Sequence, residues 1–214
     1  ADPASTVKRS SFIRDAQGLG ARFGQLSSQL DLVQSETSDA LSTYVSEVNT
    51  LTSQIAVVNQ QMTKQKSAEN QPPDLLDQRD LLLKKLSAFA HINTRFNENG
   101  SVDISLGPSF TREVILSATK STPISIQFDE KNPQKVSLIL DPYENPQPLT
   151  AITSGKISGM LSFREQILGT SRSSLNLLAE QLVKEVNSIH QSGIDAYGIP
   201  GQQLFRIDRA ETNA

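Results

Sequence analysis

A proline-free stretch from about Lys8 to Lys66 is the feature that most constrains the fold of this chain. Its apolar residues recur mostly at steps of three or four, the spacing of a heptad seam along one side of an α-helix. The seam consists of Phe12, Leu19, Phe23, Leu26, Leu30, Val33, Leu41, Tyr44, Val48, Leu51, Ile55, Val58 and Met62, with Ala16 and Thr37 in its two gaps. An extra four-residue step near Thr37 is a stutter, which locally unwinds a supercoil. A helix of this length would extend about 85 Å, so it must find packing partners along its length.

A second helix is expected after "SAENQPPD", because two consecutive prolines cannot continue the first one. Asp74 is placed to cap this second helix at its start. Charged residues occupy one side of it and a broad apolar face occupies the other, formed by Leu75, Leu76, Leu82, Leu83, Leu86 and Phe89. The second helix should therefore be anchored through its leucines.

The apolar period changes from helical to two after Ala90. Ile92, Thr94 and Phe96 alternate before "NENG", and Val102, Ile104 and Leu106 alternate after it, which predicts a β-hairpin. The runs "EVILSA", "PISIQF" and "KVSLIL" are further strand candidates, separated by Pro, Gly or Asn. These runs predict a small, mostly antiparallel sheet.

The helical period returns at Ser154 and continues to about His190, where Gly193 is expected to supply a left-handed stop. The seam of this late helix consists of Ile157, Leu161, Leu168, Leu175, Leu182 and Ile189. Two long helices that each carry a seam should pack against each other. The sequence therefore predicts an α+β fold that is mainly α, with a long antiparallel, coiled-coil-like helical rod and a small antiparallel β subdomain.

Five segments follow from these patterns. Residues 1–5, "ADPAS", are interpreted as an expression scar. Residues 6–91 carry the long helix and the short second helix of the rod, residues 92–152 the β-rich subdomain, and residues 153–193 the long return helix. Residues 194–214 are expected to be a loop that leads toward a further, outer domain.

Composition and charge exclude several classes of function. The net charge of -3, with acidic and basic residues interspersed, gives no basic field for nucleic acid or for anionic lipid. The sequence contains no apolar run near the roughly 20 residues that a membrane span requires. The absence of cysteine excludes disulfides, thiol catalysis and thiolate metal sites.

The candidate residues for chemistry are few. His91 and His190 lie far apart in the sequence, and neither has a neighbouring set of ligands. Asp77 and Asp80 have the spacing of an acid–base pair, but beside Arg79 they are typical of a solvated helix face. We therefore expect no catalytic residue, no cofactor-binding residue and no metal ligand.

Three short motifs have simpler explanations than ligand binding. "GLGARFG" lacks both the spacing and the preceding strand of a dinucleotide-binding fingerprint. "SGKISG" lacks the first glycine and the hydroxyl residue of a phosphate-binding loop. "NGS" at Asn99 matches a glycosylation acceptor, but a hairpin turn already explains its Asn-Gly pair.

Two longer segments resemble one known family. "NQPPDLLDQRDLLLKKLS" resembles a segment of the hook-associated protein 1 family, the hook-filament junction proteins of bacterial flagella. "SGKISGMLSFREQILGTSRSSLNLLAEQLVKEVNSIHQSGIDAYGIPGQQLF" is similar to a second family segment, which ends in Asn187, His190, Gly193, Asp195, Gly198, Gly201 and Phe205. The resemblance covers about Lys8 to Ile207. The family's terminal helices have no counterpart, so we expect a central fragment.

The resemblance implies a structural subunit, not an enzyme, in the extracellular part of the flagellum. Such a subunit is exported by the type III route without a cleaved signal and forms a ring that joins the hook to the filament. Its implied partners are copies of itself, the hook protein and the second hook-filament junction protein. The fragment alone is expected to be monomeric.

The "LLDQRD" segment then has a structural interpretation. Arg79 or Asp80, with Asp77 beside them, could tether the second helix to the sheet or to a neighbouring subunit, and the alternative is a solvated face. The alternatives are the sister junction protein or a flagellin-like subunit, against which "LLDQRD" argues, and a secreted coiled-coil adaptor or translocator, which would leave the second helix and the sheet unexplained. An enzyme is disfavoured. A translocator-type rod should self-associate strongly, whereas an enzyme would need a pocket that unites a histidine with two carboxylates.

Overall fold

The structure is a computed structural model that describes residues 6–110, 113–129, 135–195 and 197–207. The predicted scar at 1–5 and the end of the predicted loop, from residue 208 onward, lie outside these ranges. The chain divides into two compact units: Ala1–Gln34 with Ile167–Ala214, called unit 1, and Ser35–Gln166, called unit 2. The predicted helical segments each contribute to both units, and the five-part organisation stays a prediction.

Helix α1, Thr6–Met62, forms the predicted long helix of 57 residues. Gln71 caps the end of α1, because its Nε2 donates to the Met62 carbonyl over 2.6 Å. The last four carbonyls of a helix have no partner within the helix. All the buried residues of α1 lie in unit 2, from Thr37 to Met62. The seam residues of its first half, such as Leu19 and Phe23, are only half-buried.

Helix α2, Pro73–Ser87, has the predicted apolar face. Leu82 and Leu86 are buried, and Leu75, Leu76, Leu83 and Phe89 pack against the core as partly buried residues. The prediction that Asp74 caps this helix is wrong. The N-cap is Pro72 and Asp74 lies within the first turn, because the helix begins at Pro73, whose fixed φ suits the first helical position.

The β region forms two antiparallel sheets and not one. The first contains β1 (Ile92–Phe96), β2 (Val102–Leu106), β3 (Val114–Ser117) and β4 (Lys120–Ser121) in that order, and the second contains β5 (Ile124–Phe128), β6 (Val136–Leu140) and β7 (Gln147–Leu149). The predicted hairpin is confirmed, with Ile92 opposite Leu106 and Phe96 opposite Val102. The chain changes sheets at Pro123, which has no N–H to donate to a strand ladder.

Two asparagines on α1 each bind the backbone of one sheet. Asn59 donates to the Val102 carbonyl over 2.7 Å and accepts from the Val102 N–H over 3.0 Å. Asn49 makes the same pair of contacts with Ile124, at 2.8 and 2.9 Å. Each side-chain amide thus pairs with the strand as a neighbouring backbone would, and it fixes the position of that sheet on α1.

The late helix is interrupted, and the prediction of one continuous helix is wrong. It consists of α3 (Gly155–Ser162), a π-helical turn (Phe163–Leu168) and α4 (Gly169–Ser192). The π turn carries Arg164, whose side chain is bound to α1. The left-handed stop is also wrong: Gly193 is extended, with φ −80° and ψ 153°.

The early and late seams face each other in unit 1, as predicted. Leu19 and Phe23 of α1 and four residues of α4 line a mainly apolar cleft of about 490 Å³; those of α4 are Leu175, Ala179, Leu182 and Val183. Arg172 of α4 forms an ion pair with Asp31 of α1. In unit 2 the second half of α1 is covered instead by α2, both sheets and Ile157 of α3.

None of the helices in the described ranges combines the length and the apolar character that crossing a lipid bilayer requires.

Candidate functional site

The turn between β1 and β2 is held by side chains from the helical elements, a set that we call the hairpin clasp: Asn59, Gln71 and Arg79. Gly100 gives this turn its shape, because it has φ +85°, a conformation that glycine adopts most readily. Gln71 Nε2 donates to the Asn99 carbonyl over 2.8 Å, and Arg79 Nη1 donates to the Gly100 carbonyl over 2.5 Å. Asn59 holds the adjoining Val102. The end of α1, the loop after it and α2 thus meet at one hairpin.

The three tether candidates in "LLDQRD" have different surroundings. The Arg79 side chain is 11% exposed and forms an ion pair with Asp80 over 2.7 Å. Its guanidinium also lies 4.7 Å from the centre of the Phe96 ring, within the range of a cation–π contact. Asp80 is 62% exposed, so this ion pair adds little stability by itself. Asp77 is exposed and is not part of the hairpin clasp.

Asp103 is a buried carboxylate beside the hairpin clasp. Its Oδ1 accepts from the Ala118 N–H over 2.7 Å, and its Oδ2 accepts from Arg95 over 2.9 Å. Burial favours the neutral acid, but the hydrogen bonds from Ala118 and Arg95 favour the anion, and the net result is a pKa of Asp103 below its ordinary value. Ala118 has φ +51°, so the carboxylate stabilises a turn that most residues avoid.

A groove of about 660 Å³ next to the hairpin clasp is lined mainly by polar residues and contains Asp103. Both oxygens of this carboxylate are engaged in the structural hydrogen bonds to Ala118 and Arg95. Across the part of the chain that the structure describes, no three His, Asp or Glu side chains are grouped as the ligands of a metal ion would be.

Arg164 is buried in unit 2, with only 1% of its surface exposed. Its Nη1 donates to Thr37 Oγ1 over 2.7 Å and to Ser38 Oγ over 2.8 Å. Burial lowers the pKa of the Arg164 guanidinium below its ordinary value, because a buried site disfavours the charged form. Thr37, a polar residue in the apolar seam of α1, is therefore explained as a partner of this arginine.

The chain that follows α4 is held against that helix by two of its side chains, a pair that we call the loop clasp: Asn187 and His190. Asn187 Oδ1 accepts from the Leu204 and Phe205 N–H groups over 2.8 and 3.0 Å, and its Nδ2 donates to the Phe205 carbonyl over 2.8 Å. His190 Nδ1 lies 2.6 Å from the Gln202 carbonyl. The loop clasp directs Phe205 into the lining of the apolar cleft.

Glycine and aspartate complete the loop between these contacts. A Cβ at Gly201 would lie 2.1 Å from the His190 carbonyl, so no larger residue fits there without a shift. Asp195 Oδ1 accepts from the Tyr197 and Ile199 N–H groups over 2.9 and 2.8 Å. Residues that the family resemblance singled out near the end of the chain thus shape one ordered loop.

The two histidines and the "SGKISG" glycine have structural surroundings. His91 lies in unit 2 and His190 in unit 1, and His190 belongs to the loop clasp. Gly155 has φ +88°, and a Cβ there would lie 2.5 Å from the Phe89 carbonyl. Lys156 Nζ lies 4.7 Å from the centre of the Phe89 ring. This motif therefore packs α3 on the end of α2.

Sequence reasoning missed the residues that make most of these contacts: Asn49, Asn59, Asp103 and Arg164. The signal that could have found them is a polar residue on the buried side of a periodic element. Asn59 follows Ile55 by four residues on the buried face of α1, and Asp103 lies in a strand whose five residues are all buried. Buried polar groups require partners, so each of these positions predicts a specific contact.

The described fold matches proteins of the bacterial flagellum. Residues 1–205 match the family model of the flagellar hook-associated protein FlgK helical domain. The chain is 28% identical to flagellar hook-associated protein 1 of Salmonella typhimurium over 210 residues, which is 96% of this chain and 37% of that protein. It is also 28% identical to flagellar hook-associated protein 1 of Bacillus subtilis over 227 residues, covering 95% of this chain and 44% of that protein.

A solved structure has the same fold. The flagellar hook junction protein FlgK from Burkholderia pseudomallei superimposes with a TM-score of 0.82 at 26% sequence identity, covering 94% of this chain and 36% of that one. The chain thus spans less than half the length of the relatives it matches. With the family model matched over residues 1–205, this chain belongs to the family of the flagellar hook-associated protein FlgK helical domain.

Proposed function

We propose that this chain is the helical part of a structural subunit that joins the hook of the bacterial flagellum to its filament. The single observation that carries the proposal is the family match over residues 1–205. The polar groups of the described structure support a structural role, because the buried ones make contacts that hold helices, sheets and loops together. The protein is proposed to act by packing against other subunits and not by catalysing a reaction.

Exposed apolar side chains in unit 1 support subunit packing. On α1 they include Phe12, Ile13, Leu26 and Leu32, and on α4 they include Leu177, Leu178 and Ile189. Contiguous exposed apolar residues are typical of sites that contact other proteins, and Leu177 and Leu178 are neighbours in the chain. The proposed partners are copies of the same protein in a ring, the hook protein and the second hook-filament junction protein.

The proposed location is the flagellum, outside the cell. We propose that the protein reaches it by type III export through the flagellar channel, without a cleaved signal peptide. The alternative of a secreted coiled-coil adaptor has no support from α2 or the two sheets, which such an adaptor would not need.

Deletion of the gene that encodes this chain tests the proposal. We expect cells with hooks but without attached filaments, and flagellin shed into the medium. Electron microscopy of the cells and analysis of the medium measure both effects. Normal filaments on the deletion strain would contradict the proposal.

Complementation then tests the role of the exposed apolar residues. The gene carrying Leu177→Ser and Leu178→Ser should produce protein that reaches the medium but restores few filaments. The matched control is Ser173→Asn with Ser174→Asn, which changes two exposed polar residues of the same helix and should restore filaments fully. Equal restoration by both variants would remove this face of α4 from the assembly surface.

We also propose that Arg79, with Asp80, is the tether that fixes α2 to the first hairpin. The hydrogen bond to Gly100 and the contact with Phe96 support this role. Arg79→Met should lower the free energy of unfolding by about 1 to 2 kcal/mol, because a carbonyl loses a charged donor. Asp77→Asn is the control and should change it by less than about 0.5 kcal/mol. Urea unfolding measures both, and equal effects would contradict the tether.

A further inference from the structure

Two irregularities in the helices meet at one point of unit 2. The seam of α1 takes consecutive four-residue steps from Val33 to Thr37 and from Thr37 to Leu41, which is the stutter expected from the sequence. The π turn of the late helix spans Phe163–Leu168. Arg164 joins the two through its contacts with the hydroxyls of Thr37 and Ser38.

Apolar seams alone do not specify one alignment of two long helices. A heptad seam repeats itself, so a shift by one repeat again places apolar residues opposite apolar residues. A buried polar residue in such a seam can specify the alignment, at some cost in stability. Arg164 occupies this kind of position, since it is buried and lies between the seam residues Leu161 and Leu168.

The π turn decides which face α4 presents. The start of α3 is already fixed, because Lys156 N–H and Ile157 N–H donate to the Ala88 and Phe89 carbonyls over 3.1 and 3.0 Å. A π turn accommodates one residue more than an α turn. The side chains of α4 are therefore rotated by about 100° relative to their positions in an uninterrupted α-helix.

We propose that Arg164 is a register pin: through Thr37, Ser38 and the π turn it selects one alignment of the late helix on α1 from those that the seams would accept. Arg164 is therefore a positioning residue. This role goes beyond the proposed function, because it concerns the packing of helices within one chain and does not depend on assembly in a flagellum.

Distances between two spin labels test the pin. The chain contains no cysteine, so Ser28→Cys on α1 and Ser173→Cys on α4 would carry the only labels. Both serines are exposed and both belong to unit 1. The full chain should give one narrow distance distribution. Because the start of α3 is fixed, a different alignment of α4 would be a change of phase, which would alter the separation of the labels.

Two variants and one control are compared in this labelled background. Arg164→Met removes the donor while keeping an unbranched side chain, and Thr37→Val with Ser38→Ala removes both hydroxyl acceptors. Each should remain helical by circular dichroism but give more than one distance. Lys184→Met, which removes an exposed cation from α4, should keep the single distance.

The proposal is supported if either variant remains helical and splits the distance distribution. Every other result overturns it: a single distance would show that the seams align without the arginine. Unfolding of both variants would show that the arginine stabilises the fold and does not select among alignments.

Discussion

The two halves of α1 carry the same heptad signal but are held in different ways. In unit 2, the half from Ser35 to Met62 contains eleven buried residues, among them Leu41 and Ile55 with no exposed surface. In unit 1, the half from Thr6 to Gln34 contains no buried residue. Its seam faces α4 across a cleft, and Leu32 on its surface is 59% exposed.

This difference shows what periodicity does and does not determine. Repeats of three and four residues fix which face of a helix is apolar, but they do not fix what covers that face. The second half has a core formed by α2, two sheets and α3, whereas the first half has α4 and the loop around Phe205 beside it within its unit. Part of its apolar surface, such as Leu32, therefore stays exposed.

The largest expected difference between the halves comes from truncating one leucine in each. Leu41→Ala should lower the free energy of unfolding by about 3 kcal/mol, because it opens a cavity in a closed core. Leu30→Ala, on the same helix and half-buried, should cost about 1 kcal/mol. Urea unfolding followed by circular dichroism measures both. Equal losses would show that the two halves are packed alike.

A smaller loss is expected when a sheet is released from the second half. Asn59→Ala leaves the N–H of Val102 and the carbonyls of Val102 and Ala118 without their amide partner. Buried polar groups without partners are costly, so the free energy of unfolding should fall by about 2 kcal/mol. Gln60→Ala, an exposed position on the same helix, is the control and should fall within about 0.5 kcal/mol of the wild type.

Unit 2 should also lose stability in acid through Asp103. The pKa of this carboxyl in the folded chain is lowered from its ordinary value of 3.8. Its contribution to stability is therefore fully present above pH 3.8 and is lost as the pH falls below 3.8 through the folded pKa. Asp103→Asn should reduce the pH dependence of the free energy of unfolding in this window, measured by urea unfolding at several pH values. An unchanged pH dependence would contradict the assigned contacts.

The smallest expected effect is a gain of stability in the first half. A Cβ added at Gly24 would meet no atom within 4 Å, and alanine favours the helix by up to about 1 kcal/mol relative to glycine. Gly24→Ala should therefore raise the protection of nearby amides against hydrogen exchange. Ala21→Gly, at an exposed position one turn earlier, should lower it. Lower protection in Gly24→Ala would mean that the glycine is needed for packing.

The elements of the fold were largely predictable from the sequence because their signals are local. The long helix, the leucine face of α2 and the first hairpin follow from spacing and from Asn-Gly turn chemistry. The break in the late helix was not predictable in this way. Its π turn carries Arg164, which contacts Thr37 and Ser38, and these two residues lie far away in the sequence.

The candidate site was predictable in part. The sequence singled out Arg79 and Asp80, and the structure brings Arg79 to the hairpin, whereas Asp77 stays exposed. The contacts of Asn49 and Asn59 were missed because one asparagine does not disturb the apolar spacing of a helix, and the spacing does not show which strand the asparagine meets. The division into two sheets was missed because the sequence does not show which strands pair. Only the structure shows that the strands before and after Pro123 belong to different sheets.

Native-state hydrogen exchange along α1 compares the stability of its two halves, because it measures the free energy of opening at each amide. Amides from Ser35 to Met62 should exchange only through the largest openings of the chain, while those from Thr6 to Gln34 should exchange through openings of clearly lower free energy. Uniform protection along all 57 residues, or stronger protection in the first half, would contradict this difference between the halves.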